Sequence, residues 1–147
     1  MVKNVLVAVD GSKASGKAVD FAIDLAGRLG GFMTILHVID NSAYFSRAMP
    51  ATATPTHLVE PVEDYLRQVA GIFMQKIKKK CEQRGIKTKE VIRSGHPVEE
   101  ILKEAKKSKA GLVVMGSRGK GAIGSVLGSV TFGVLHGESK TAVLVVR

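Results

Sequence analysis

Residues 5–39 read VLVAVDGSKASGKAVDFAIDLAGRLGGFMTILHVI, an apolar run, a turn, an amphipathic stretch and a second apolar run. The first run, Val5–Asp10, is short and rich in valine and closes on Asp10-Gly11, a turn signal, so it reads as a strand. From Ser12 the period changes. Ala18, Phe21, Ala22, Leu25 and Leu29 recur at three- and four-residue spacing, which predicts a helix with that face inward. Ser12 or Ser15 is placed to cap it, and Gly30-Gly31 stops it. Phe32–Ile39 then returns to a strand that ends at Asp40. Two strands joined through a helix lie parallel, with a right-handed crossover.

The same alternation continues. Asn41–Pro61 has Pro50, Pro55, Pro61 and no period, and is expected to be a flexible surface loop. A helix is predicted from Val62 to Arg84 with Leu66, Val69, Phe73 and Ile77 inward and Gly85 closing it. Ile86–Arg93 is a more polar strand, suited to a place near a sheet edge. Gly95-His96-Pro97 opens another helix, where a first-position Pro loses nothing because its N–H would have no partner. Val98, Ile101, Leu102 and Ala105 form its expected buried face. Gly111–Met115 is continuously apolar, as in a strand covered on both faces. A short helix near Gly128–His136 and a final strand, Ala142–Val146, complete the chain. The expectation is one α/β domain over residues 1–147, doubly wound and Rossmann-like. Its sheet would have five mainly parallel strands flanked by about four helices.

Composition narrows the function. A chain of 147 residues, 45% apolar and 24% charged, supports one ordinary core. No apolar run approaches the ~18 residues of a membrane span. The N-terminus enters a strand without a signal-peptide pattern, so the expected compartment is the cytoplasm. The net charge of +9 raises the question of nucleic acid. The cations, however, cluster at the C-terminal ends of predicted helices (Lys76–Arg84 and Lys103–Lys109), where the macrodipole favours them. Aromatic residues are only 5%, with no Trp, so base-stacking platforms are scarce and nucleic acid is disfavoured as a partner. The single cysteine, Cys81, excludes an internal disulfide and reads as a small helix residue.

The segment carrying most chemistry is Gly116-Ser117-Arg118-Gly119-Lys120-Gly121, continuing through Ala122–Leu127 to Gly128-Ser129-Val130-Thr131. Glycines let backbone N–H groups approach phosphate oxygens, and the helix opening at Gly128 presents its positive end. Ser129 and Thr131 add hydroxyls, and Arg118 and Lys120 add charge. A rival lies at Gly11–Ala18, which nearly fits G-x-x-x-x-G-K-[ST] with Lys17 as its lysine. Ala18 stands where the magnesium-ligating hydroxyl should be. The four histidines (His37, His57, His96, His136) are scattered and lack metal-ligand spacing. Asp10 is the carboxylate best placed for a ribose or adenine, or for the turn that follows it. No catalytic group and no protein-derived metal ligand stand out.

VLVAVDGS at the start, LHVID at Leu36–Asp40, SGHPVEEIL at Ser94–Leu102, the MGSRGKG loop and the closing VLVV resemble the universal stress proteins. Gly116, Gly119 and Gly128-Ser129 resemble the G-x2-G-x9-G-[ST] signature of that family's ATP-binding branch, with eight residues rather than nine between Gly119 and Gly128. The resemblance implies that Ala8, Val9, Asp10, Val38, Met115 and Gly116 surround an adenine. Ser117, Arg118, Gly119, Lys120, Gly121, Gly128, Ser129, Val130 and Thr131 would hold the ribose and phosphates. It implies ATP or another adenine nucleotide, with any Mg carried by the phosphates, and a homodimer paired through 142–146. The expected role is a stress or signalling module that changes conformation or client protein with little or no hydrolysis. The alternatives are a Lys17 ATPase or phosphotransferase, and an interaction module of the same fold without nucleotide.

Overall fold

The structure, a computed structural model, describes residues 2–41, 56–118 and 127–147, with side chains from residue 61 in the second of these segments. The elements are β1 (Asn4–Ala8), α1 (Lys13–Leu29), β2 (Phe32–Asp40), α2 (Thr56–Gln83), β3 (Thr88–Gly95), α3 (Pro97–Lys107), β4 (Leu112–Gly116), α4 (Ser129–His136) and β5 (Ala142–Val146). The five strands form one sheet in the order β3-β2-β1-β4-β5, and every pairing is parallel. The winding therefore reverses between β1 and β4, which lie side by side.

Alternation along the strands sends side chains to two separate cores. Val5 and Val7 of β1 join Ala18, Val19, Ala22, Ile23 and Ala26 of α1, with Met74 and Cys81 of α2. Leu6, Leu36, Val113 and Met115 meet Ile101 and Ala105 of α3 and Val134 of α4 on the other face. The fold class expected from the sequence is the one observed.

Several details differ. The helix expected from Val62 starts at Thr56, so Pro61 lies inside α2 rather than in a loop. A proline there removes one backbone bond near the helix start, while the remaining turns are packed on the sheet. Residues 42–55 of the expected loop lie outside the described residues. Of the expected inward face of α2, Phe73 and Ile77 pack on the core, but the buried residues are Ala70, Met74 and Cys81, and Val69 is 39% exposed. In α1, Phe21 and Leu29 are exposed, while Val19, Ile23 and Ala26 take the core positions. Small Ala residues let the helix sit close to the sheet, so the larger side chains beside them are pushed outward. Burial raises the Cys81 thiol to about 11, so it stays protonated and behaves as a core residue.

Candidate functional site

The β1–α1 connection is short and closed on itself. Ser12 N–H donates to Asp10 Oδ1 at 2.9 Å, an Asx turn, and Gly11 supplies the positive φ of 80°. Ser12 Oγ then accepts from Ser15 N–H at 3.2 Å and caps α1. One oxygen of Asp10 thus serves the turn, the second of the two roles its position allowed. Helix begins at Lys13, so Lys13–Gly16 do not form a phosphate-wrapping loop and Lys17 is an exposed helical residue. This geometry removes the Lys17 P-loop reading.

Three expected adenine-side residues come together, with one expected on the phosphate side. Ala8, Val38 and Met115 share one face of the sheet with Val130 of α4, all within the core cluster beneath α3 and α4. Val9 does not join them. Its side chain is 5% exposed in the opposite core. Its N–H donates to the Leu36 carbonyl at 2.8 Å, and its carbonyl accepts from His37 Nδ1 at 2.7 Å. His37 also meets Phe73 edge-on at 5.1 Å, as a satisfied structural histidine does.

The phosphate side is built around α4. Ser117 carbonyl accepts from Gly128 N–H at 2.7 Å, which brings the two ends of the Gly-rich segment together. Ser117 N–H donates to the Val146 carbonyl at 2.8 Å and anchors that junction to β5. Thr131 Oγ1 donates to the Gly116 carbonyl at 2.8 Å, fixing the first turn of α4 over the end of β4. Thr131 therefore spends its hydroxyl proton inside the protein. Gly128 caps α4 without a side-chain bond, and Ser129 beside it is exposed. The first-turn N–H groups of an α-helix have no intrahelical partner, and with the positive end of the dipole they would attract an anion at the start of α4. Arg118 is exposed at the same junction. Gly119, Lys120 and Gly121 lie outside the described residues.

Gly116 has a second reason to be glycine. A Cβ there would meet the carbonyl carbon of Ala14 at 2.8 Å and its oxygen at 2.9 Å, so α1 packs directly on it. Sequence reasoning assigned this residue to ligand approach alone.

A cluster missed by the sequence lies behind the site. Glu100 and Glu104, outside the buried face of α3 read from the sequence, are buried and bind Arg93 of β3 at 2.5 and 2.9 Å. Lys103 adds a contact to Glu100 at 3.3 Å. The hydrogen bond from Arg93 holds the Glu100 carboxyl below its usual range. The signal was the i, i+4 spacing of two acids facing a basic strand residue.

The parallel 3-2-1-4-5 sheet, with the start of α4 bonded to the end of β4 beside the switch point, defines a Rossmann-like α/β protein, a class whose ligands bind at the carboxyl ends of the strands, here β1 and β4. The universal stress protein family model matches residues 1–147, and the chain belongs to that family. It is 32% identical over 149 residues to universal stress protein YxiE of Bacillus subtilis, covering all of both chains. It is 31% identical to universal stress protein MJ0577 of Methanocaldococcus jannaschii, covering all of this chain and 96% of that one. The solved MJ0577 structure superimposes with a TM-score of 0.88 over 99% of this chain and 96% of that chain. A universal stress protein solved in complex with cAMP is 27% identical, with a TM-score of 0.65, over 99% of this chain and 97% of that one.

Proposed function

We propose that this protein binds an adenine nucleotide in the β1–β4 cleft and works as a stress-response or signalling module through changes of conformation or partner. The observation that carries this reading is the placement of the α4 N-terminus. The Gly116–Thr131 and Ser117–Gly128 bonds hold its first turn at the end of β4, beside the switch point. Ala8, Val38, Met115 and Val130 line the sheet face beside it and form an apolar wall for the base. The complex of a 27%-identical relative with cAMP supports the same ligand class.

Within this reading the backbone of α4 and Arg118 neutralise phosphate charge, and Ser129 donates from an exposed position. Any Mg would be carried by the phosphates in this reading. Hydrolysis is slow or absent in this reading, since the mechanism assigns no general base. The protein would pair as a homodimer through β5. That edge strand leaves Val143, Leu144, Val145 and Val146 half-buried, an open edge suited to a second copy.

Ser129→Glu tests the site. A negative charge at the first helical position favours α4 itself but repels phosphate. Calorimetric titration with ATP, AMP and cAMP should show affinity weakened by about tenfold or more, with the melting temperature not lowered. Lys17→Ala should leave affinity as in the wild type. Binding that survives Ser129→Glu and fails in Lys17→Ala would overturn the assignment.

A further inference from the structure

The end of the sheet opposite the cleft carries charge that the fold does not use. Every pairing is parallel, so all five strands start at this end. Lys87, Lys3, Lys109 and Lys140 stand just before β3, β1, β4 and β5, in the spatial order of those strands. Their row crosses the width of the sheet, about 19 Å at four strand spacings. Two of its members are tied to β2, which lies between them. Phe32 N–H donates to the Lys3 carbonyl at 2.9 Å, and Met33 N–H donates to the Lys87 carbonyl at 3.0 Å. All four lysines are exposed, and none meets a carboxylate among the described residues. Cations on the helix flanks behave differently: Arg28, Lys78, Lys80, Arg84 and Lys103 each pair with an acid. In the described connections that reach this end, Glu138 is the one acid.

Lys109 is held there against its backbone preference. Helices α1, α2 and α3 close alike, with Gly31 N–H bonded to Ala26, Ile86 N–H to Cys81 and Ala110 N–H to Ala105. That closure takes a left-handed residue just before the donor. Gly30 and Gly85 supply it at φ 61° and 69°, whereas α3 uses Lys109 at 52°. An L side chain is disfavoured in this conformation and glycine is not. The helix dipole accounts for Lys106 and Lys107 in the last turn of α3. It gives no reason for a left-handed lysine, nor for Lys3, Lys87 and Lys140, which lie beyond the last turns.

Two apolar side chains interrupt the row. Leu29 and Phe32 flank Gly30-Gly31 and are 44% and 41% exposed. A nucleic-acid duplex offers phosphates to lysines but nothing to this pair. An anionic bilayer takes both, with lysines at the headgroups and apolar side chains at the acyl boundary. We infer that this end of the sheet docks on an anionic lipid surface, with Leu29 and Phe32 entering the interface between the lysines. Among the described residues no helix is long and apolar enough to cross a membrane, so the contact is peripheral. The five residues of β1, about 16 Å, separate it from the cleft, which faces away and stays open during docking.

The experiment is co-sedimentation of the full chain with vesicles of phosphatidylcholine, alone or with phosphatidylserine as about one-third of the lipid. At about 0.1 M salt, charges more than about 10 Å apart are screened, so local placement decides. Binding should require phosphatidylserine and fall as salt rises. Each lysine at such a surface contributes about fivefold, so Lys3→Glu with Lys87→Glu should weaken partition by about 25-fold or more. Lys13→Glu with Lys17→Glu makes the same charge change at the start of α1, at the opposite end, and should weaken it by less than about threefold. Phe32→Thr should weaken it about fivefold with the salt dependence kept. Lys109→Gly should weaken it about fivefold while raising the melting temperature. No binding to phosphatidylserine vesicles, or equal losses in the two double variants, would overturn the inference. So would preferential binding of a mixed-sequence DNA duplex that Phe32→Thr leaves unchanged, which would assign the lysine row to nucleic acid.

Discussion

Gly116 shows how one residue can answer to two constraints. It ends β4 in the cleft, and α1 also rests on it, with Ala14 backbone atoms under 3 Å from any Cβ. Gly116→Ala should therefore destabilise the protein by about 1–3 kcal/mol, whatever the ligand does, because rigid backbone must yield. Urea denaturation without nucleotide measures this. A variant as stable as the wild type would show that α1 can move away, and would return the glycine to ligand approach alone. Val9 gives the complementary lesson. It sits between Ala8 and Asp10, both at the cleft, but strand alternation turns its side chain to the opposite core. A motif names adjacent residues together, whereas the pleat separates them.

At the level of elements, β3 and α3 are held by the Arg93 fork to Glu100 and Glu104. Glu104 is 1% exposed on its side chain and Arg93 is 26% exposed. Removing the arginine leaves buried Glu104 without this cation and Glu100 with Lys103 alone. Arg93→Met should cost about 2 kcal/mol near neutral pH, less than for a wholly buried pair because solvent reaches the guanidinium. The pH dependence has a definite sign. Arg93 lowers the Glu100 pKa on folding, so the stabilisation is complete above the usual carboxylate range and is lost as pH falls through the depressed value. The gap between wild type and Arg93→Met should therefore narrow from about pH 6 to about pH 3, as chemical denaturation would show. A gap that widens on acidification would contradict this account. The sequence reading placed α3 and its helix-starting Pro97 correctly, yet its buried face of Val98, Ile101, Leu102 and Ala105 did not include these acids. Period alone reports apolar faces and is silent on charges that become buried in pairs. In α1 and α2 the helices were legible but their rotation was not. Apolar residues on both flanks of the stripe leave more than one inward face consistent with the pattern, and packing on the sheet chose the one with small residues.

Across the whole molecule, the alternation of apolar runs and amphipathic stretches was enough to read a parallel, doubly wound sheet, because parallel strands require crossovers. Strand order follows from contacts distant in sequence, and the order β3-β2-β1-β4-β5 is what puts the ends of β1 and β4 together. The site was legible as a Gly-rich segment after a buried strand. Its organisation was not, since the Ser117–Gly128 and Gly116–Thr131 bonds join residues 11 and 15 positions apart. The central claim is that this organisation holds an adenine nucleotide. It is tested most directly by mass spectrometry of the freshly purified protein, first native and then denatured to release small molecules, with ATP, AMP and cAMP titrated in if nothing is released. The account predicts a bound adenine nucleotide, either carried through purification or taken up at micromolar concentration, on the order of one per chain. A protein that carries none and takes up none of the three would contradict it, and would leave the fold as a scaffold for protein contacts alone.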